Sequence, residues 1–160
     1  MSQVLDALIS VCGSDRVAVR LGPGGTWNGI CDSDPVALFS YVAEQLNKFD
    51  LAYLHLIEPR VGGSITTHPE KGTAAAQQLR PIFKGNLIDA GGFEPDTAET
   101  AIAGGLIDAV AFGRHFVSNP DLVRRIREQL PLGDYDRDTF YTFDAKGYTD
   151  YPAYDIALGA

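Results

Sequence analysis

Residues 108–122, DAVAFGRHFVSNPDL, run from a short apolar strand into a helix-start signal, with Gly113-Arg114 set in the connection between them. The same alternation recurs upstream. RVAVRL (16–21) is followed by the cap-like Ser33-Asp34-Pro35 and the amphipathic VALFSYVAEQLNKF (36–49). LAYLHLIE (51–58) precedes KGTAAAQQLRPIF (71–83), NLIDA (86–90) precedes PDTAETAIAGG (95–105), and DAVAF (108–112) precedes NPDLVRRIREQL (119–130). Four strand–helix units in a row imply right-handed crossovers and a parallel sheet covered on at least one face. QVLDALISVC (3–12) reads as one more helix ahead of the first strand, and residues 131–160 form a tail rich in aromatics, Asp and Gly.

Composition bounds the function. The 160 residues with 45% hydrophobic content suit one compact domain rather than two. No run of eighteen apolar residues is present and the N-terminus lacks signal-peptide features, so the expectation is a cytoplasmic protein with no membrane partner. Cys12 and Cys31 lack metal or redox spacing and read as buried or incidental thiols. His55, His68 and His115 show no metal-ligand helical spacing. A net charge of −8 opposes nucleic acid and anionic lipid, so an anionic ligand has to be captured locally.

Four such units fit either an open doubly wound sheet or part of a (β/α)8 barrel. In barrels the chemistry sits on the loops after the strands, and phosphate is often bound by the loops after the last two. Ala90-Gly91-Gly92-Phe93 follows the third strand, where glycines let backbone N–H groups approach an anion. Gly113-Arg114 follows the fourth, ahead of a helix start that favours negative charge. Phosphate capture explains this pair of loops. The plainer alternative is two tight turns and a solvated arginine.

VAFGRHFVSNPDLVRRI (110–126), LIDAGGF (87–93), AYLHLIEPRVGG (52–63), VAVRLGPGGTWNG (17–29) and the tail PLGDYDRDTFYTFDAKGYTDYPAY (131–154) together resemble the C-terminal half of the old yellow enzymes, FMN-dependent ene reductases. The resemblance implies the C-terminal half of a (β/α)8 TIM barrel over residues 1–130, carrying the FMN-phosphate loops, with 131–160 as an appended tail. The similarity begins at the helix before the family's fifth strand.

Residue by residue, the resemblance implies that Arg20 reaches the pyrimidine edge of the flavin and stabilises its reduced form. It implies that Ala90, Gly91 and Gly92 supply a backbone phosphate cradle, and that Gly113 with Arg114 forms the second phosphate loop, a role suited to the arginine fork. Phe140 and Tyr141 fall where the family places aromatics beside the flavin ring and substrate pocket. Trp27 falls at a substrate-pocket wall, although a lid packed on the barrel would place it equally well. Glu58-Pro59-Arg60 matches a family segment and is expected to be a turn held by an ion pair. No Gly-x-Gly-x-x-Gly loop is present, so NAD(P)H is expected only as a transient hydride donor.

The His-Asn or His-His pair that holds the substrate carbonyl in the family, and its proton-donating tyrosine, belong to the half of the barrel that these residues do not match. The expectation is therefore no catalytic residue in this chain, an enone substrate, and a complementary N-terminal half-barrel or self-association to cover exposed edges. Met1-Ser2 directly before the first helix suggests a separately expressed chain, as a split enzyme, an engineered fragment or a piece of a permuted enzyme. The rival reading is a non-catalytic half-barrel that binds flavin or phosphate and self-associates.

Overall fold

A computed structural model describes residues 1–62 and 65–157. The chain divides into a larger unit, Met1–Ala111, and a smaller one, Phe112–Ala160.

The larger unit opens with helix α1 (Ser2–Cys12), which buries only Leu5, and continues into strand β1 (Ala18–Leu21). Helix α2 (Pro35–Leu46) starts where the sequence signals it: Pro35 takes the first turn and the Asp34 side chain accepts the Ala37 N–H at 3.0 Å. Strand β2 (Tyr53–Ile57) follows, then a two-residue antiparallel pair, β3 (Val61–Gly62) and β4 (Ile65–Thr66). Helix α3 (Ala74–Leu79), strand β5 (Leu87–Ala90), helix α4 (Pro95–Ala103) and strand β6 (Ala109–Ala111) complete the unit. Pro95 and the reciprocal Glu94–Thr97 capping box set the start of α4.

The four long strands form one parallel sheet in the order β1-β2-β5-β6. Alternation fixes which face each side chain takes. Leu54, Leu56 and Leu87 are fully buried on one face, with Ala43, Leu46, Ala75, Ala76 and Leu79 of α2 and α3 also in the core. Each fully buried leucine contributes on the order of 1.5–3 kcal/mol. The opposite face carries Arg20, Tyr53, His55, Ile88 and Ala90, none of them fully buried. A sheet covered on one side and open on the other is half of a closed barrel's geometry.

The β3–β4 hairpin was not legible in the sequence, because two-residue strands carry no alternation to detect. Cys12 and Cys31 are both exposed free thiols rather than buried ones. No helix among the described residues is long and apolar enough to cross a membrane.

The smaller unit holds helices α5 (Arg114–Ser118), α6 (Leu122–Glu128) and α7 (Tyr154–Ala157). The sequence pattern predicts one helix here from residue 119; instead the chain forms α5, breaks at Asn119, and restarts. Asn119 is fully buried, and its side chain donates to the His115 and Gly133 carbonyls and accepts the Gly133 N–H at 2.7 Å. Arg125, 5% exposed, ties the tail to α6: Nε donates to Asp121 Oδ1 at 2.7 Å, Nη1 to the Pro131 carbonyl and Nη2 to the Pro152 carbonyl. Asp121 Oδ2 also accepts the Tyr154 N–H, and that bond leads the causes holding the Asp121 carboxyl below its ordinary pKa.

Candidate functional site

Asp89 and Ala90 close β5, and Gly91 and Gly92 then turn the chain at φ 119° and 68°, conformations that glycine adopts without strain. A side chain at Gly91 would also be crowded. A Cβ there would lie 3.0 Å from Val61 Cγ2 and 3.3 Å from Glu58 Cβ.

The surrounding polar groups are fastened one by one. The Ala90 N–H donates to Asp89 Oδ1 at 2.8 Å, and the Ala90 carbonyl accepts the Glu58 N–H at 2.9 Å. The Gly91 carbonyl accepts Arg60 Nε–H at 2.6 Å. By contrast, the N–H groups of Gly91, Gly92 and Phe93 are donors in none of the described hydrogen bonds. Three successive unspent donors on a turn at the C-terminal end of a parallel strand suit a bound anion, phosphate above all.

Behind the turn lie two buried carboxyl groups. Glu58, fully buried, accepts the N–H groups of Ala75 and Ala76 at 3.0 and 2.9 Å, so it satisfies the start of α3. Asp89, also fully buried, has one oxygen, Oδ2, with no hydrogen-bond partner among the described residues. Burial, and after it the neighbouring Glu58 charge, pushes the Asp89 pKa up to about 9. Asp89 therefore keeps its proton far above the ordinary carboxylate range.

Glu58-Pro59-Arg60 is thus a turn, as expected, but no ion pair joins its ends. Glu58 turns inward to α3, whereas Arg60 reaches Gly91 and lies 4.4 Å over the Phe93 ring. Sequence reasoning missed Arg60 and Asp89 as parts of the site. The one signal for Asp89 was an acidic residue inside an otherwise apolar strand.

Arg20 sits in β1 on the open face, exposed, with no carboxylate paired to it among the described residues. Its ladder neighbour His55 has a buried Nε2 with no hydrogen-bond partner among the described residues. Burial, followed by the Arg20 charge, holds the His55 pKa below 6.5. Trp27, 59% exposed, lies in a single 3-10 turn, with its Cε3 3.6 Å from the position of a Cβ on Gly62. Its ring therefore stands beside the β3–β4 hairpin.

In the smaller unit, Gly113 precedes α5 and Arg114 is that helix's first residue, its guanidinium 6.0 Å from the Tyr135 ring centre. Tyr135 continues into an aromatic series: Phe140 lies 5.6 Å from it, and Tyr141 meets Phe140 edge-on at 6.4 Å. Tyr141 is 81% exposed and holds φ at 60°, so the tail presents this ring outward rather than packing it in a core.

The family model described as NADH:flavin oxidoreductase / NADH oxidase matches residues 1–133. The chain is 43% identical over 155 residues to a putative 12-oxophytodienoate reductase 4 of Oryza sativa subsp. japonica, covering 96% of this chain and 40% of that protein. It is 42% identical over 154 residues to 12-oxophytodienoate reductase 2 of Arabidopsis thaliana, of which it again covers 40%. Among solved structures it superposes on morphinone reductase with a TM-score of 0.84 at 40% identity, over 98% of this chain and 41% of that one. It also superposes on the old yellow enzyme of Trypanosoma cruzi with a TM-score of 0.84 at 34% identity, over 96% and 39%. The chain therefore spans about 40% of the length of the curated relatives it matches.

Proposed function

The chain belongs to the NADH:flavin oxidoreductase / NADH oxidase family, and we propose that it is the FMN-phosphate-holding half of an ene reductase barrel. The observation that carries this reading is the Gly91-Gly92 turn, whose three unspent N–H donors lie at the C-terminal end of β5. When bound, FMN supplies hydride-relay chemistry between NAD(P)H and an activated alkene such as an enone.

Every other step assigned to this chain is binding or electrostatics. In the larger unit, Gly91 and Gly92, next to Ala90, hold phosphate through backbone N–H groups; in the smaller unit, Gly113 with Arg114 offers the charge-assisted phosphate contact that the resemblance implies. Arg20, exposed on the open face and with no carboxylate paired to it among the described residues, offsets negative charge on the reduced ring. Phe140 and Tyr141 supply aromatic surface beside the ring, and Trp27 and Tyr141 contribute to the substrate pocket. Polarising the substrate carbonyl and delivering the proton fall to residues of a complementary half-barrel that covers the open face of the sheet.

Flavin titration tests the reading. Riboflavin has the same ring system as FMN and lacks the phosphate, so a chain that captures phosphate binds FMN at least about 10-fold more tightly. Equal affinity for the two flavins would refute it.

A further inference from the structure

The donors of the phosphate turn are aimed by a second turn. We propose that Arg60 is the positioning residue of the Gly91-Gly92 cradle, a role that rests on the phosphate reading above and adds a specific device to it. In a trans peptide, the carbonyl of one residue and the N–H of the next lie in one plane and point in opposite directions. All peptide bonds of the described chain are trans. The Ala90 carbonyl is held by the Glu58 N–H, so the Gly91 N–H points away from the 58–60 turn. The Gly91 carbonyl is held by Arg60 Nε, so the Gly92 N–H points away as well.

Two successive carbonyls anchored on one side thus turn two successive donors to the other. Without the Arg60 contact only the first is fixed, because Gly92 is free of side-chain constraint and its backbone has access to many conformations. A cationic donor on the Gly91 oxygen also polarises that peptide, which strengthens the Gly92 N–H as a donor.

Arg60 is itself immobilised for this task. Its guanidinium lies 4.4 Å over the Phe93 ring, and its Nη2 is buried, with no hydrogen-bond partner among the described residues. Val61, the next residue, packs within 3.0 Å of the Cβ position of Gly91, so the arginine and the hairpin it leads into bear on the same turn. A lysine would preserve the charge but not the planar fork stacked on Phe93.

The test compares Arg60→Gln, Arg60→Lys and Phe93→Leu with the wild-type chain, each titrated with FMN and with riboflavin alongside a thermal melt. Arg60→Gln is expected to weaken FMN at least about 10-fold while riboflavin changes by less than about 2-fold. Arg60→Lys is expected to recover only part of that loss. Phe93→Leu keeps the core filled, removes only the stacking face, and is expected to cost FMN alone about 2- to 5-fold. An Arg60→Gln chain with the wild-type FMN-to-riboflavin ratio would overturn the proposal, as would full recovery by lysine, which would show that charge alone is required. Should Arg60→Gln and Arg60→Lys both fail to fold, Phe93→Leu decides: an unchanged ratio overturns the proposal and an FMN-specific loss supports it. A wild-type chain that does not distinguish the two flavins would instead defeat the phosphate reading on which the proposal rests.

Discussion

Arg20 and His55 are lateral partners in the β1–β2 ladder, side by side on the open face of the sheet, and the arginine's charge helps keep the histidine neutral. Because burial is the larger cause, Arg20→Ala should raise the His55 titration midpoint toward 6.5 without reaching it. The sign for stability follows. A depressed folded-state pKa means the unfolded chain takes the proton first, so stability is lost as pH falls below 6.5, and less so in the variant. An NMR titration of the His55 ring checks this, and an unmoved midpoint would separate the two side chains.

The same substitution bears on the flavin. Withdrawing the Arg20 charge should make bound FMN harder to reduce, lowering its potential, while FMN binding weakens less than when Arg114 is removed. Potentiometry on the flavin-loaded variant measures the effect, and a potential equal to wild type would remove Arg20 from the flavin edge.

Arg114→Ala should remove a charge-assisted phosphate contact worth about 1.5–3 kcal/mol, or roughly 10- to 150-fold in FMN affinity. Riboflavin affinity should be unchanged. An unaltered FMN dissociation constant would assign Arg114 to the α5 surface alone.

Asp89 gives a prediction about pH. Its carboxyl has a pKa of about 9 in the folded chain against 3.8 ordinarily, so between those values the unfolded state is ionised while the folded state holds a proton. Folding stability therefore declines as pH rises through that window. Asp89→Asn keeps a neutral group of the same shape, and its stability relative to wild type should grow by up to about 1.4 kcal/mol per pH unit. Urea unfolding at pH 5 and pH 8 measures the difference, and parallel pH profiles would place the ionised carboxylate at Asp89 after all.

The sequence disclosed the layers because strands and helices differ in period. LHLI alternates between open and covered faces as a half-buried strand must, and Asp34-Pro35 announced α2 through chemistry that acts within a few residues. The glycine turn after β5 was legible for the same reason, since positive φ leaves its mark in residue type. What the sequence hid is contact across the chain. Arg60 reaches Gly91 and Glu58 reaches Ala75 and Ala76 over separations that no local pattern encodes. The resemblance placed Glu58-Pro59-Arg60 in its family segment, but only the fold shows its two charged ends serving separate partners.

Alkene reduction tests the division of labour most directly. The chain saturated with FMN is assayed for NADPH oxidation with cyclohexenone, alone and after mixing with a polypeptide that supplies the first four strand–helix units of the barrel. With the carbonyl-polarising and proton-donating groups assigned to the complementary half, the chain alone should show negligible turnover, and on mixing, activity and FMN affinity should rise together as the open face is covered. Robust enone reduction by the 160-residue chain with no second polypeptide present would contradict the account and place the reacting groups among these residues.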